Sequence, residues 1–308
     1  MYINSPFDIT QEASILKKIN VSEITEAYLK EFKIDVSSIF GSLQHIYICQ
    51  CPKTSFRFYY PFGLDGDSDF YKQLSLNNWY YSTNRWEHAE VIKYINTGDK
   101  VLEVGSGDGV FIEKLVAEKA VSYTGLELNR DAIERAKAKN IVLTNELLHQ
   151  HVSVESNVGK YDVVCSFQVF EHISDINSAF KDSLVALKPG GRLIVAVPNN
   201  DAEFIGNNIH VSRFLNMPTH HVNLFGEESL RKLAGIFDLT LEKIIIEPLQ
   251  DLQIDTYLYN RISRRVFNNK FLLRLIWKLK IHTWFRSGVR KRKDKITGHT
   301  IIAVYKKK

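Results

Sequence analysis

Two carboxylates, a cluster of glycines and three histidines are the residues of this chain whose types and spacing could do chemistry. Glu103 stands two residues before the first glycine of Gly105-x-Gly107-x-Gly109, at the end of the apolar stretch Val101 to Val104. Glycines placed there let the backbone turn tightly and approach a ligand without a Cβ in the way. A dinucleotide fingerprint wants a small residue at the third position, G-x-G-x-x-G/A; here that residue is Val110, too large for a helix to close on a pyrophosphate. A carboxylate at Glu103 would repel a diphosphate, but it suits a cationic ligand bearing an ammonium group. Glu127 ends the next apolar stretch, 18 residues after Gly109. A carboxylate in that place can take both hydroxyls of a ribose in a bidentate pair. Alone, Glu127 reads as a solvated acid before a helix; beside Glu103 and the glycines it reads as a ligand contact.

Histidine is the side chain whose ordinary pKa suits proton transfer near neutrality. His172 sits in Phe170-Glu171-His172-Ile173, and His220 and His221 in Pro218-Thr219-His220-His221-Val222. Each has a bland alternative, packing at a helix entry or in a loop, and His210 has a weaker case still. Cys49-x-Cys51-Pro52 invites a zinc assignment, but it has no second pair of suitable ligands. It reads as structural, Cys165 reads as a buried strand residue, and no metal site is expected.

These side chains need elements to hold them. From Lys100 onward, apolar strands alternate with helices: strands at 101–104, 122–128, 141–144, 161–167 and 192–197, helices at 110–119, 131–139 and 176–187. A helix at 227–237 and strands at 241–247 and 300–305 complete the set. Asn129 or Asp131 can cap the second helix. Such alternation predicts a doubly wound, mostly parallel α/β sheet with ligands beyond the carboxyl ends of its strands. That edge receives Glu103, Glu127 and His172 together. Before it, residues 10–34 read as helical, and 84–95 as another helix. Eleven aromatics lie between Phe56 and Trp86, about a third of those in the chain.

Val-Leu-Glu-Val-Gly-Ser-Gly-Asp-Gly (101–109), Gly-Leu-Glu-Leu-Asn (125–129), Tyr-Asp-Val-Val-Cys-Ser-Phe-Gln-Val-Phe-Glu-His-Ile (161–173) and Leu-Lys-Pro-Gly-Gly-Arg-Leu-Ile-Val-Ala-Val-Pro-Asn (187–199) occur in this order. The series resembles the successive motifs of class I S-adenosylmethionine-dependent methyltransferases, in particular the ubiquinone-biosynthesis type and its relatives in polysaccharide and small-molecule gene clusters. The resemblance covers residues 100 to about 250. It implies a Rossmann-like sheet of seven strands, mostly parallel with an antiparallel last strand, and S-adenosylmethionine as cofactor. Carried over by position, Glu103, Gly105 and Gly107 line the methionine moiety, Glu127 holds the ribose, and Ser106 and Leu128 join the cofactor contacts. Asn145 or Glu146 lies near the adenine, where the family often has an Asp. Gln168 faces the methionine end. His172, His220 and His221 become the candidate bases for a hydroxyl acceptor. Tyr81 and Trp86, within Trp79-Tyr80-Tyr81 and Trp86-Glu87-His88, are candidates for an aromatic lid over the sulfonium, set against a plain core role.

The 308 residues suffice for one well-cored α/β domain with appended parts, and 44% hydrophobic with 24% charged residues is ordinary for a globular chain. The expected division is 1–97 as an N-terminal helical and aromatic region, 98–250 with 297–308 as the methyltransferase domain, and 251–296 as a basic helical insertion. Between Asp255 and Lys295 stand thirteen Lys and Arg against two acids, while the whole chain carries only +5. Leu272, Leu275, Ile276 and Leu279 share one helical face there, and Lys270, Arg274 and Lys278 another, flanked by Trp277 and Trp284. A basic amphipathic helix of this kind suits a membrane surface or an anionic acceptor; the alternative packs the apolar stripe on its own domain or on another subunit. No nucleic-acid module is apparent. With three cysteines, no signal peptide and no long apolar run, a cytoplasmic protein is expected, with peripheral contact to the inner face of the membrane left open. The expected function is O-methylation of a sugar, glycan or related metabolite. Three alternatives stand beside it: O-methylation of a phenolic or quinone-precursor substrate at a membrane, an NAD(P)-dependent oxidoreductase, and a non-catalytic cofactor-binding module in glycan assembly.

Overall fold

The structure, a computed structural model, describes residues 2–77, 85–202, 205, 216–267 and 269–308. It opens with strands and not with the helix expected from residue 10: β1 (Asn4–Ser5), β2 (Asp8–Glu12) and β3 (Ser14–Asn20) precede α1 (Val21–Phe32). In β3, Ser-Ile-Leu-Lys-Lys-Ile-Asn is exposed everywhere except Ile19. It is an edge strand, so no alternation marks it, and its lysines discourage pairing with foreign strands. α2 (Ser37–Phe40), β4 (His45–Gln50), β5 (Arg57–Tyr60), α3 (Ser68–Ser75) and α4 (Trp86–Ile92) follow. The N-terminal region is therefore as much sheet as helix.

The alternation from Lys100 onward is present: β6 (Lys100–Val104), α5 (Val110–Glu118), β7 (Ser122–Leu126), α6 (Arg130–Lys137), α7 (Leu148–Ser153), β8 (Tyr161–Phe167), α8 (Ile176–Ala186) and β9 (Leu187–Pro198). Then come β10 (Asn223–Leu224), α9 (Glu227–Ile236), β11 (Leu239–Pro248), α10 (Ile254–Arg265), α11 (Lys270–Lys278), α12 (His282–Arg290) and β12 (Thr297–Lys307). Six strands form the central sheet in the order β11-β12-β9-β8-β6-β7. β6, β7, β8 and β9 are parallel, and β12 runs antiparallel between β9 and β11. The expected seventh strand, 141–144, is reduced to one bridge between Leu126 and Thr144. Asn140 enters it with φ 63°, and Asn145 leaves it with its amide donating to the carbonyls of Glu127 and Leu128. Only Thr144 keeps both ladder bonds, to Gly125 and from Glu127.

The strands are apolar because both faces are covered. Val101, Val163, Cys165, Ile194 and Ile302 pack on one side with Val91, Phe111 and Leu115. Leu102, Val164, Val195 and Ile301 pack on the other with Phe170, Phe180 and Leu230. Phe7, Cys49, Cys51, Phe56 and Phe58 belong to this second core, so both early cysteines are buried core residues. β10 also leaves the central sheet and pairs with β5, giving a four-stranded antiparallel sheet β10-β5-β4-β3. The loop after β9 thus returns to the N-terminal region.

The basic insertion buries a different face from the stripe read in the sequence. Leu273 is buried and Ile276 half-buried, and Trp277 is half-buried against the cluster that holds Tyr257 and Leu258. Leu272, Leu275 and Leu279 are exposed, as are Phe267, Phe271 and Trp284, at 94%, 73% and 81%. The register is set by Asn269, whose side chain caps α11 by accepting from the N–H groups of Phe271 and Leu272. No described helix is long and apolar enough to cross a membrane.

Candidate functional site

The loop after β6 is built by its glycines. Gly105, Gly107 and Gly109 have φ of 75°, 55° and 79°, the left-handed region that side chains avoid. A Cβ on Gly105 would lie 2.4 Å from Val169 Cγ2. The Gly105 and Ser106 N–H groups both donate to the carbonyl of Leu126, pinning the loop to β7. Glu103, at the end of β6, is buried, and its Oε2 has no hydrogen-bond partner among the described residues. Burial pushes its pKa up to about 8, opposed by the Ser106 hydroxyl and aided by the nearby Glu127. An unmatched buried acid on a glycine floor is what an ammonium-bearing ligand needs, so S-adenosylmethionine fits here. Glu127 accepts from the N–H groups of Gly107, Leu128 and Asn129 at 2.7, 2.8 and 2.7 Å. Burial raises its pKa while those donors oppose the rise. Oε1 takes two of these bonds and Oε2 one, so Oε2 keeps a lone pair for a ribose hydroxyl.

A cleft of about 2450 Å³ runs over this edge of the sheet. It is lined by Glu103, Gly105, Ser106, Gly107, Glu127, Leu128, Glu146, Gln168, Trp86 and the three candidate histidines. Its size exceeds the few hundred to about 1,000 Å³ of a usual small-molecule site, leaving room for cofactor and acceptor together. Asn145 is not on its wall. The side chain that could have met an adenine is used to hold the backbone of Glu127 and Leu128. Glu146 does reach the cleft, and its carboxylate meets His151 Nδ1 at 3.0 Å. His151 in turn meets the Tyr161 hydroxyl at 2.7 Å. Gln168 has φ 56°, and its amide donates to the Thr300 hydroxyl at 3.4 Å. Trp86 opens α4 at the cleft wall, half-buried. Tyr81, Trp79, Tyr80 and His210 lie outside the described residues.

His172, 48 residues before His220, comes together with the adjacent His220 and His221, the ring centroids lying 4.4 Å (His172–His220), 4.4 Å (His220–His221) and 5.0 Å (His172–His221) apart. The turn carrying the last two is held from several sides. The Tyr28 hydroxyl donates to the Met217 carbonyl and accepts from the His220 N–H. Tyr59 donates to the Asn216 carbonyl, Gly66 to that of Thr219, and Val222 to that of Glu171. The His172 Nδ1 lies 2.6 Å from the His220 carbonyl oxygen. A carbonyl only accepts, so Nδ1 carries the hydrogen and Nε2 the lone pair. Burial lowers the His172 pKa to about 4 and the His221 pKa well below its usual value, so both rings are neutral at pH 7.

Several wall residues were not singled out in the sequence. Glu171 is fully buried, neither of its carboxylate oxygens has a hydrogen-bond partner among the described residues, and burial pushes its pKa up to about 8. Glu87 and Glu247 are buried along the same wall, with Arg85 3.7 Å from Glu87. His299, from β12, completes it. Glu171 was the one with a local signal, since it sits between Phe170 and His172 directly after a buried strand. Glu87, Glu247 and His299 come from the far ends of the chain and have no spacing pattern in common.

The family model described as "Methyltransferase domain" matches residues 68–244. The chain is 31% identical to the ubiquinone biosynthesis O-methyltransferase of Vibrio parahaemolyticus over 108 residues, 34% of this chain and 46% of that one. It is 26% identical to the enzyme of the same name from Idiomarina loihiensis over 165 residues, 50% and 68% of the two chains. The chain therefore spans less than half the length of the Vibrio relative. A solved S-adenosylmethionine-dependent methyltransferase of Archaeoglobus fulgidus aligns with TM-score 0.48 and 17% identity, over 78% of this chain and 100% of that one.

Proposed function

Since this chain belongs to the class I S-adenosylmethionine-dependent methyltransferases, we propose that it methylates a hydroxyl of a sugar, glycan or related polar metabolite. S-adenosylmethionine, when bound, supplies a methyl group already activated on a sulfonium. Of the chain's own residues, Glu103 takes the ammonium, Glu127 the ribose hydroxyls, and the glycine loop lets the backbone come close. What is left for the protein is to align the acceptor oxygen and keep water out. His172, His220 and His221, which line the same cleft, are the groups assigned to take the acceptor hydroxyl's proton. The His172 and His221 rings are neutral, although burial makes both weaker bases than free imidazole.

The observation that carries the polar acceptor is the lining beside the histidines. Asp65, Asp69, Lys72, Ser174, Asp175 and Asp182 face the cleft there, with Tyr71 against His172 and His220. Such a wall offers hydrogen bonds and a stacking ring to a hydroxyl-rich acceptor. Labelled methyl transfer to sugar nucleotides, lipid-linked glycans and phenolic quinone precursors tests the choice. Turnover confined to the phenols would overturn the sugar reading, and cofactor binding without turnover on any class would favour the non-catalytic module.

A second reading, a phenolic or quinone-precursor acceptor at a membrane surface, draws on the exposed Phe267, Phe271 and Trp284 among the Lys and Arg of the insertion. The relatives named for ubiquinone biosynthesis point the same way. For the nicotinamide alternative, Glu103 and Val110 remain the obstacles at the glycine loop.

A further inference from the structure

Glu171 has no part in the roles above, and its surroundings need an explanation. Burial of a carboxylate with no hydrogen-bond partner for either oxygen among the described residues is costly, only partly offset by its own backbone N–H and the Arg85 charge, and its Oε1 lies 3.9 Å from His172 Nε2. One ligand-capable atom from each of His172, His220 and His221 lies within 4.8 Å of the other two. Two of the rings are also braced as metal-bound histidines are. His172 Nδ1 donates to the His220 carbonyl, and His221 Nδ1 meets the Asn216 side-chain oxygen at 3.1 Å. Outer partners of this kind fix the tautomer and aim the other nitrogen in metal sites.

We propose that His172, His220 and His221 form a three-imidazole site for a divalent transition metal such as zinc, with Glu171 as its charge-balancing carboxylate. Zinc and its transition-metal neighbours favour imidazole nitrogen, whereas magnesium and calcium favour oxygen cages. A tetrahedral zinc with bonds of about 2.0–2.1 Å puts its ligand nitrogens about 3.3 Å apart, so the rings close inward on binding. The site opens on the cleft, leaving a position for an added ligand. The role of the metal rests on the methyl-transfer reading; its binding does not. A coordinated acceptor hydroxyl releases its proton to water more readily. Its oxygen then bonds to the methyl carbon as the carbon–sulfur bond breaks, and the sulfur leaves as a neutral thioether.

The test uses the full chain freed of metal by a chelator and titrated with Zn²⁺, and with Co²⁺ for its visible spectrum. Wild type, Glu171→Gln, His221→Ala and the triple His172→Ala/His220→Ala/His221→Ala variant are compared. S-adenosylhomocysteine affinity, measured on each, reports the fold of the cofactor half. One equivalent of metal is expected, with the absorption of a nitrogen-rich four- or five-coordinate cobalt. Affinity should fall by more than about 100-fold in His221→Ala and about 10–100-fold in Glu171→Gln. Wild type taking up no stoichiometric metal, or a triple variant binding as tightly as wild type, overturns the proposal. If the triple variant does not fold, Glu171→Gln and the wild-type cobalt spectrum decide it. Protein that binds metal but not S-adenosylhomocysteine sinks the methyl-transfer reading and leaves the metal site; the opposite pattern sinks only the metal site.

Discussion

Replacing Glu103 with Gln should remove a pH dependence that the buried acid imposes on cofactor binding. In the free protein its pKa is pushed to about 8, so at pH 7 only about a tenth of the molecules carry the carboxylate. An ammonium arriving beside Oε2 needs the ionised form, and binding must expel the proton. At pH 7 that is about 0.9 proton per complex, and affinity should drop close to tenfold for each pH unit below 8. S-adenosylhomocysteine is the ligand of choice because it keeps the ammonium and lacks the sulfonium. Calorimetric titration at pH 6, 7 and 8, in two buffers of different ionisation enthalpy, reads both the slope and the proton count. Glu103→Gln should bind more weakly at pH 8 and with little slope. A wild-type affinity flat between pH 6 and 8, with an enthalpy independent of buffer, would refute the reasoning.

Gly105→Ala should destabilise the protein by about 2–5 kcal/mol, combining a left-handed φ for a residue with Cβ and a clash with Val169. Denaturant unfolding should show part of the loss recovered in Gly105→Ala/Val169→Ala, and no recovery would mean the clash is not the cause. Glu127→Ala should weaken S-adenosylhomocysteine binding by about 10–100-fold, the worth of hydrogen bonds to a charged group, and an unchanged dissociation constant would remove Glu127 from the ribose site. The stability of the ligand-free protein should be greatest near pH 6.5. The raised folded pKa values of Glu103 and Glu171 give stability that is full below about 4.5 and is lost as pH rises toward 8. The lowered values of His88, His172 and His299 give stability that is full above about 6.5 and is lost toward 3 to 4. Thermal melts from pH 5 to 8.5 test this, and Glu171→Gln should flatten the alkaline side. Phe271→Ser/Trp284→Ser should abolish any sedimentation with anionic vesicles; vesicle binding by the double variant equal to wild type would detach the insertion from the membrane reading.

The cofactor half was legible because its signals are local. A strand buried on both faces has to be apolar, and a loop at φ near 75° has to be glycine, so 101–109 and 161–167 announce themselves. The misread parts are those whose environment is set from afar. β3 is an exposed edge strand whose lysines and serine look helical. The strand at 141–144 keeps ladder bonds only at Thr144, which its apolar sequence does not reveal. In α11 the helix was read correctly but its buried face was not, since three exposed leucines outweigh the single buried Leu273 by count. The histidines were nominated one by one, yet their convergence with Glu171 depends on a turn held by Tyr28, Tyr59 and Gly66, which nothing near them in the sequence specifies.

Tyr28 makes that last dependence concrete. Its hydroxyl, reaching from an N-terminal helix, bridges Met217 and the His220 amide, so the position of the imidazole pair is adjusted from almost two hundred residues upstream. Exchanges in α1 that touch no part of the cleft can therefore still displace the histidine turn. Hybrids joining one relative's front segment to another's catalytic half would inherit a displaced histidine turn unless Tyr28 travels with its own loop.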